Sequence, residues 1–155
     1  MANEEIRTIL APLTDSYVML PNSAVGEILE YISPEPFKQG PAWLLGEIAW
    51  HGWQVPVISY EQLIDESIGH IPTSRARILI IKTLGESTQV NYIGLVIQGL
   101  PKLKKVSPDT LIEKQTEGLA DTLFSEVVID NQQALIPELG QLTHTVEEVA
   151  YDNQQ

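Results

Sequence analysis

The sequence predicts an all-β protein built as two small barrels packed side by side, with few short helices. Three observations carry that prediction. Eight or more short apolar segments recur at regular spacing, the pattern of a sandwich or barrel set. A polar connector near residue 70 divides them. Between Trp43 and Tyr60 the chain reads as a β-hairpin with an identifiable turn. At 155 residues the chain fits a single domain spanning 1–155, of a size that buries roughly 68–70% of its unfolded surface. The first barrel is expected over about 14–70, and the remainder, joined by the N-terminal strand, forms the second.

Taken in order, Ile6 to Leu13 is rich in β-formers and is separated from Tyr17-Val18-Met19-Leu20 by Thr14-Asp15-Ser16, which has turn chemistry. Pro21-Asn22-Ser23 offers a helix N-cap, and Ala24, Val25, Ile28 and Leu29 suit a single helical turn or an irregular strand. Three prolines and a glycine make Ser33 to Pro41 a loop. In the hairpin that follows, Gly52 takes the positive φ of a two-residue primed turn and His51 tolerates it. That register sets Trp50 opposite Trp53 and leaves an apolar face for this chain's own core or for another protein. Gly46 interrupts a strand, where glycine meets a backbone requirement alone or permits close approach of another backbone, and Pro56 points to an edge strand or a bulge.

Beyond the connector Gly69 to Ser74, Arg77 to Lys82 and Val90 to Ile97 form a hairpin around the turn Gly85-Glu86-Ser87-Thr88. Lys102 to Val106 is a weaker strand, and Ser107 to Glu117 is mixed, with Ser107-Pro108-Asp109 marking a turn or helix start. Ser125 to Ile129 and Ala134-Leu135-Ile136 flank Asp130-Asn131-Gln132-Gln133 as a last hairpin. Pro137-Glu138-Leu139 opens a terminal helix carrying Leu139, Leu142 and Val146.

Composition narrows the function classes. With 9 Lys and Arg against 21 Asp and Glu, the formal charge of −12 repels phosphate backbones, so nucleic acid is not an expected partner. Lys102, Lys104 and Lys105 read as a guarded strand edge, the alternative being a site for phosphate or an acidic partner. The absence of cysteine removes disulfide and thiol chemistry and fits a reducing compartment. The acidic start Met-Ala-Asn-Glu-Glu-Ile-Arg is not a secretory signal, and no apolar run approaches the roughly 20 residues that span a bilayer. The expectation is a cytoplasmic protein with no direct membrane insertion. His51, His70 and His144 lie far apart with no metal-ligand spacing, and no phosphate loop or nucleophile elbow is present. No metal, cofactor or catalytic residue is therefore expected.

With these residues laid out, the chain resembles the CheW-like coupling proteins of bacterial chemosensory arrays over nearly its whole length. The resemblance rests on Val25-Gly26-Glu27-Ile28, the Pro34 to Pro41 loop, Gly46-Glu47-Ile48-Ala49-Trp50-His51-Gly52 and Pro56-Val57-Ile58-Ser59-Tyr60. Arg77-Ile78-Leu79-Ile80-Ile81 and Gly94-Leu95-Val96-Ile97 extend it. It implies two five-stranded SH3-like barrels and a non-enzymatic adaptor between a chemoreceptor's cytoplasmic tip and the regulatory domain of a histidine kinase, recruited to a receptor array. It also implies that a receptor helix lies in the groove between the barrels, near Val25, Glu27, Gly46, His51 and Gly52. Apart from the resemblance, the clustered tryptophans read either as core packing or, at Trp50 and Trp53, as exposed interface aromatics.

Three positions depart from the family pattern: Ala49 replaces Asn, His51 replaces Arg and Ser59 replaces Asp. An Arg and Asp pair could bridge within the fold or to a receptor, and loss of both members together reads as an altered site. Leu20-Pro21-Asn22, Trp50-His51-Gly52 and Ile58-Ser59-Tyr60-Glu61 look most like the branch serving type IV pilus twitching motility, the chemosensory pili protein C group. Two rival readings remain open. One is an enzyme or small-molecule sensor using the groove between the barrels, and the other a free-standing SH3-like module that binds a peptide on its tryptophan face.

Overall fold

In the computed structural model, residues 6–65, 67, 69, 72–83, 89–107, 112–114 and 124–152 are described. His70, the expected turn at 85–88 and the expected turn or helix start at Pro108-Asp109 lie outside them. The strands are β1 (Ile6–Pro12), β2 (Tyr17–Pro21), β3 (Val25–Glu30), β4 (Leu44–Trp50), β5 (Trp53–Ile58), β6 (Arg77–Lys82), β7 (Tyr92–Ile97), β8 (Lys102–Val106), β9 (Ile112–Lys114), β10 (Phe124–Ile129) and β11 (Gln132–Pro137). Helix α1 covers Tyr60–Ile64, and α2, Leu139–Glu147, runs on into a π-helical segment, Glu148–Asp152.

The strands form two sheets. One has five strands in the order β3-β6-β7-β5-β4, and the other has six in the order β8-β1-β2-β11-β10-β9, its last member the three-residue β9. The all-β, two-part expectation therefore holds, with β9 added at one edge. The polar connector near residue 70, however, does not separate the halves, because β3–β5 before it and β6–β7 after it share the five-stranded sheet. The other sheet is assembled from both ends of the chain, joined by parallel pairing of β11 with β2. Strand parity explains why β6 is aliphatic on both faces: Ile78 and Ile80 fill the interior of the five-stranded unit, while Leu79 and Ile81 face the core between the sheets. That central core gathers Ala11, Val18 and Leu20 from one sheet, Ile58, Leu79 and Leu95 from the other, and Leu142 and Val146 from α2. A third cluster, including Leu10, Met19, Val127 and Ile129, fills the six-stranded unit.

Several local expectations resolve at once. Residues 22–24 form one 3-10 turn and the chain then continues as β3, with a register irregularity between Val25 and Glu27. Asp130 and Asn131, both at positive φ, make the tight turn between β10 and β11. Pro56 does not mark an edge, since β5 is paired on both sides. It is tolerated because the β7 ladder begins one residue later at Val57, and the register shift lies in the facing strand, between Leu44 and Gly46. Helix α1 had no periodic signal; its N-cap is Ser59, whose Oγ accepts from the Gln62 amide at 3.4 Å.

Candidate functional site

The site is built on the β4-β5 hairpin. His51 at φ 46° and Gly52 at φ 83° make the primed turn, and Trp50 stands opposite Trp53 as the register requires. Trp50 is half-buried over the interior cluster of the five-stranded unit, whereas Trp53 is 44% exposed. Both indoles meet the same ring edge-on: Tyr92, at the start of β7, lies 4.8 Å from Trp50 and 5.4 Å from Trp53. Tyr92 was missed in the sequence. Its parity with Val96, which faces the same interior cluster, is the signal that places it on the Trp50 face.

The sheet order leaves β3 and β4 at opposite ends of the five-stranded sheet, and side chains bring those ends together. Trp50 Nε1 donates to Glu27 Oε1 at 3.2 Å. His51 Nε2 lies 3.3 Å from the same oxygen, with its ring edge-on to Trp50 at 4.8 Å. One carboxylate oxygen thus orients an indole and an imidazole at the rim of a curled sheet, and both Glu27 and His51 remain exposed to solvent. The pairing is a weak, screened contact in energy, and its value is in fixing geometry.

The structure brings together Glu27, Trp50, His51 and Gly52, with Trp53 beside them. It does not bring in Gly46 or Val25. Gly46 is buried at φ 145°, and a Cβ there would stand 2.3 Å from the Glu35 carbonyl oxygen. The backbone that its missing side chain admits is this chain's own, for Glu35 and Glu47 exchange amide-carbonyl hydrogen bonds of 3.0 and 2.9 Å. Val25 packs half-buried on the central core. An Arg and Asp pair at positions 51 and 59 could not bridge either, because β5 separates them by roughly 20 Å. Ser59 caps α1, a role that aspartate also performs, and His51 lies within hydrogen-bond reach of Glu27.

Among the described residues no group of three or more His, Cys, Asp or Glu is arranged to hold a metal ion, and no helix is long and apolar enough to cross a membrane. The rim presents an exposed carboxylate, an imidazole and an aromatic wall on paired strands. A family model described as the CheW-like domain matches residues 7–147. Among solved structures the chain is similar to the scaffolding protein TtCheW from Thermoanaerobacter tengcongensis, at 18% identity and a TM-score of 0.73, covering 90% of this chain and 92% of that one. No curated protein matches. The structural likeness establishes the fold, and the family match, running from β1 through α2, establishes that the chain belongs to the CheW-like domain family.

Proposed function

We propose that this protein is a non-enzymatic cytoplasmic adaptor that couples a chemoreceptor's cytoplasmic tip to the regulatory domain of a histidine kinase, in the system that controls type IV pilus twitching motility. The family match across residues 7–147 carries the reading. The rim supports it: Glu27 supplies a charge that sets the register of a docked helix, and the exposed faces of His51 and Trp53 supply donor and apolar contact. Signal passes as a change in the relative arrangement of the two partners, which requires binding at two places and no chemistry.

The test is affinity capture from native cytoplasm with the parent and a Glu27→Lys variant of unchanged melting temperature, reading histidine kinase and chemoreceptor in the eluate. Both partners with the parent, and kinase alone with the variant, is the expected result. Neither partner, where an established coupling protein captures both, would overturn the adaptor reading. For the pilus branch, deletion of the gene should abolish twitching and spare flagellar swimming. The opposite pattern assigns the protein to a different array.

A further inference from the structure

The basic residues are unevenly placed. Arg7, Lys102, Lys104 and Lys105 stand on the paired strands β1 and β8, and Arg75 and Arg77 line an open pocket of about 540 Å³ at the end of β1. Six of the chain's nine Lys and Arg residues therefore share one edge of a molecule whose formal charge is −12. Lys104 is committed to Asp130. Among the described residues, the other five make no ion pair with a carboxylate. Glu30 stands opposite Arg77 in the ladder, yet Arg77 Nη1 donates instead to the carbonyls of Arg75 and Ala76 at 3.0 and 2.9 Å, which holds the guanidinium beside the pocket.

Strand register orders the rest of the surface. Arg7 lies directly opposite Lys105, so two like charges share one face of the ladder, an arrangement that destabilises a sheet. In a chain with 21 acidic residues, one carboxylate at either position would relieve it. The next pair on that face is Ile9 with Leu103, and Leu103 is 61% exposed. Beyond it come Leu100, 68% exposed, and the pocket with Arg75, Arg77, Gln98 and Pro12. From Arg7 to Pro12 is about 17 Å of strand, so the surface reads cation pair, apolar step, cation pair.

We propose that this edge docks an extended acidic segment of a partner protein, carrying carboxylates at both ends and apolar side chains between them. Its charge complementarity is local and opposite in sign to the rest of the molecule, which gives an acidic partner one place to dock. The site shares no residue with the Glu27 rim and does not depend on the adaptor reading.

The test uses the full chain and a labelled peptide, Glu-Glu-Ser-Leu-Ser-Leu-Ser-Glu-Glu, followed by fluorescence anisotropy. Saturable binding is expected, weakened at least tenfold when the four Glu are replaced by Gln or gathered at one end. Arg75→Glu and Lys105→Glu should each weaken binding at least tenfold, while Lys38→Glu, with the same change of net charge on the exposed loop before β4, should not. Lys105→Glu should also raise the melting temperature, because it turns the Arg7 repulsion into attraction. No saturable binding of the peptide overturns the proposal, as does equal loss in all three variants. Tighter binding to anionic phospholipid vesicles or to duplex DNA than to the peptide overturns it in favour of a phosphate surface.

Discussion

Two glycines in one hairpin serve different purposes, and the difference is measurable. Gly46 has both a left-handed φ and a backbone oxygen where a side chain would go, whereas Gly52 has the φ but nothing within 4 Å. Gly46→Ala should cost about 3 kcal/mol and Gly52→Ala about 1 kcal/mol. Urea midpoints at a common m-value provide the measurement, and equal losses would show that the Glu35 contact yields freely. In the sequence Gly46 read either as a backbone requirement alone or as a place where another backbone comes close. The sequence could not say whose. That depended on the loop at Glu35 folding back, a contact between residues that no periodicity links. At Glu27 the same limit applies: its charge was legible, but its shared contact with Trp50 and His51 exists only because the ends of the sheet meet.

At the scale of elements, short helices and the C-terminal segment fasten the sheets. Ser59→Ala should cost about 1 kcal/mol through loss of the α1 cap, read as a lower urea midpoint with unchanged capture of the proposed receptor partner. A loss of affinity with no loss of stability would instead place residue 59 in the recognition surface. The C-terminal segment docks through Tyr151, whose hydroxyl donates to Glu47 Oε2 at 3.2 Å and whose ring meets Phe37 edge-on. Burial, then the nearby Glu47 carboxylate, raises the Tyr151 ionisation well above the ordinary tyrosine range, and burial alone does so for Tyr60. Folding therefore favours the neutral phenols. Above the unfolded value near pH 10 the unfolded chain binds fewer protons, so this contribution is full below that pH and fades as pH rises. Stability should fall between about pH 10 and 11, and less steeply in Tyr151→Phe. Identical slopes in parent and variant would remove Tyr151 from the account.

At the scale of the molecule, the core between the sheets makes the two units one. Residues of both sheets and of α2 meet in a single cluster, so neither sheet should melt alone. All three tryptophans, Trp43, Trp50 and Trp53, belong to the β4-β5 hairpin region of the five-stranded unit, and far-ultraviolet dichroism reports both sheets. Thermal unfolding followed by indole fluorescence and by dichroism should share one midpoint. Separate midpoints would mean two independently folding barrels. Leu79→Ala, which opens the shared core, should cost 2–5 kcal/mol and shift both signals together.

The sequence by itself determined the all-β class, most strands, the His51-Gly52 turn and the family, because strand parity and turn chemistry act between near neighbours. The tertiary structure alone decided which strands share a sheet, that the residue 70 connector lies within one sheet's succession of strands, and that Gly46 is closed by the chain's own loop. It also decided the meeting of Glu27 with Trp50 and His51 and the gathering of cations along β1 and β8. The physical reason is the same in each case. These features are contacts between segments distant in sequence, fixed when the sheets curl and pack on a common core, and local patterns record only which face each residue turns to that core.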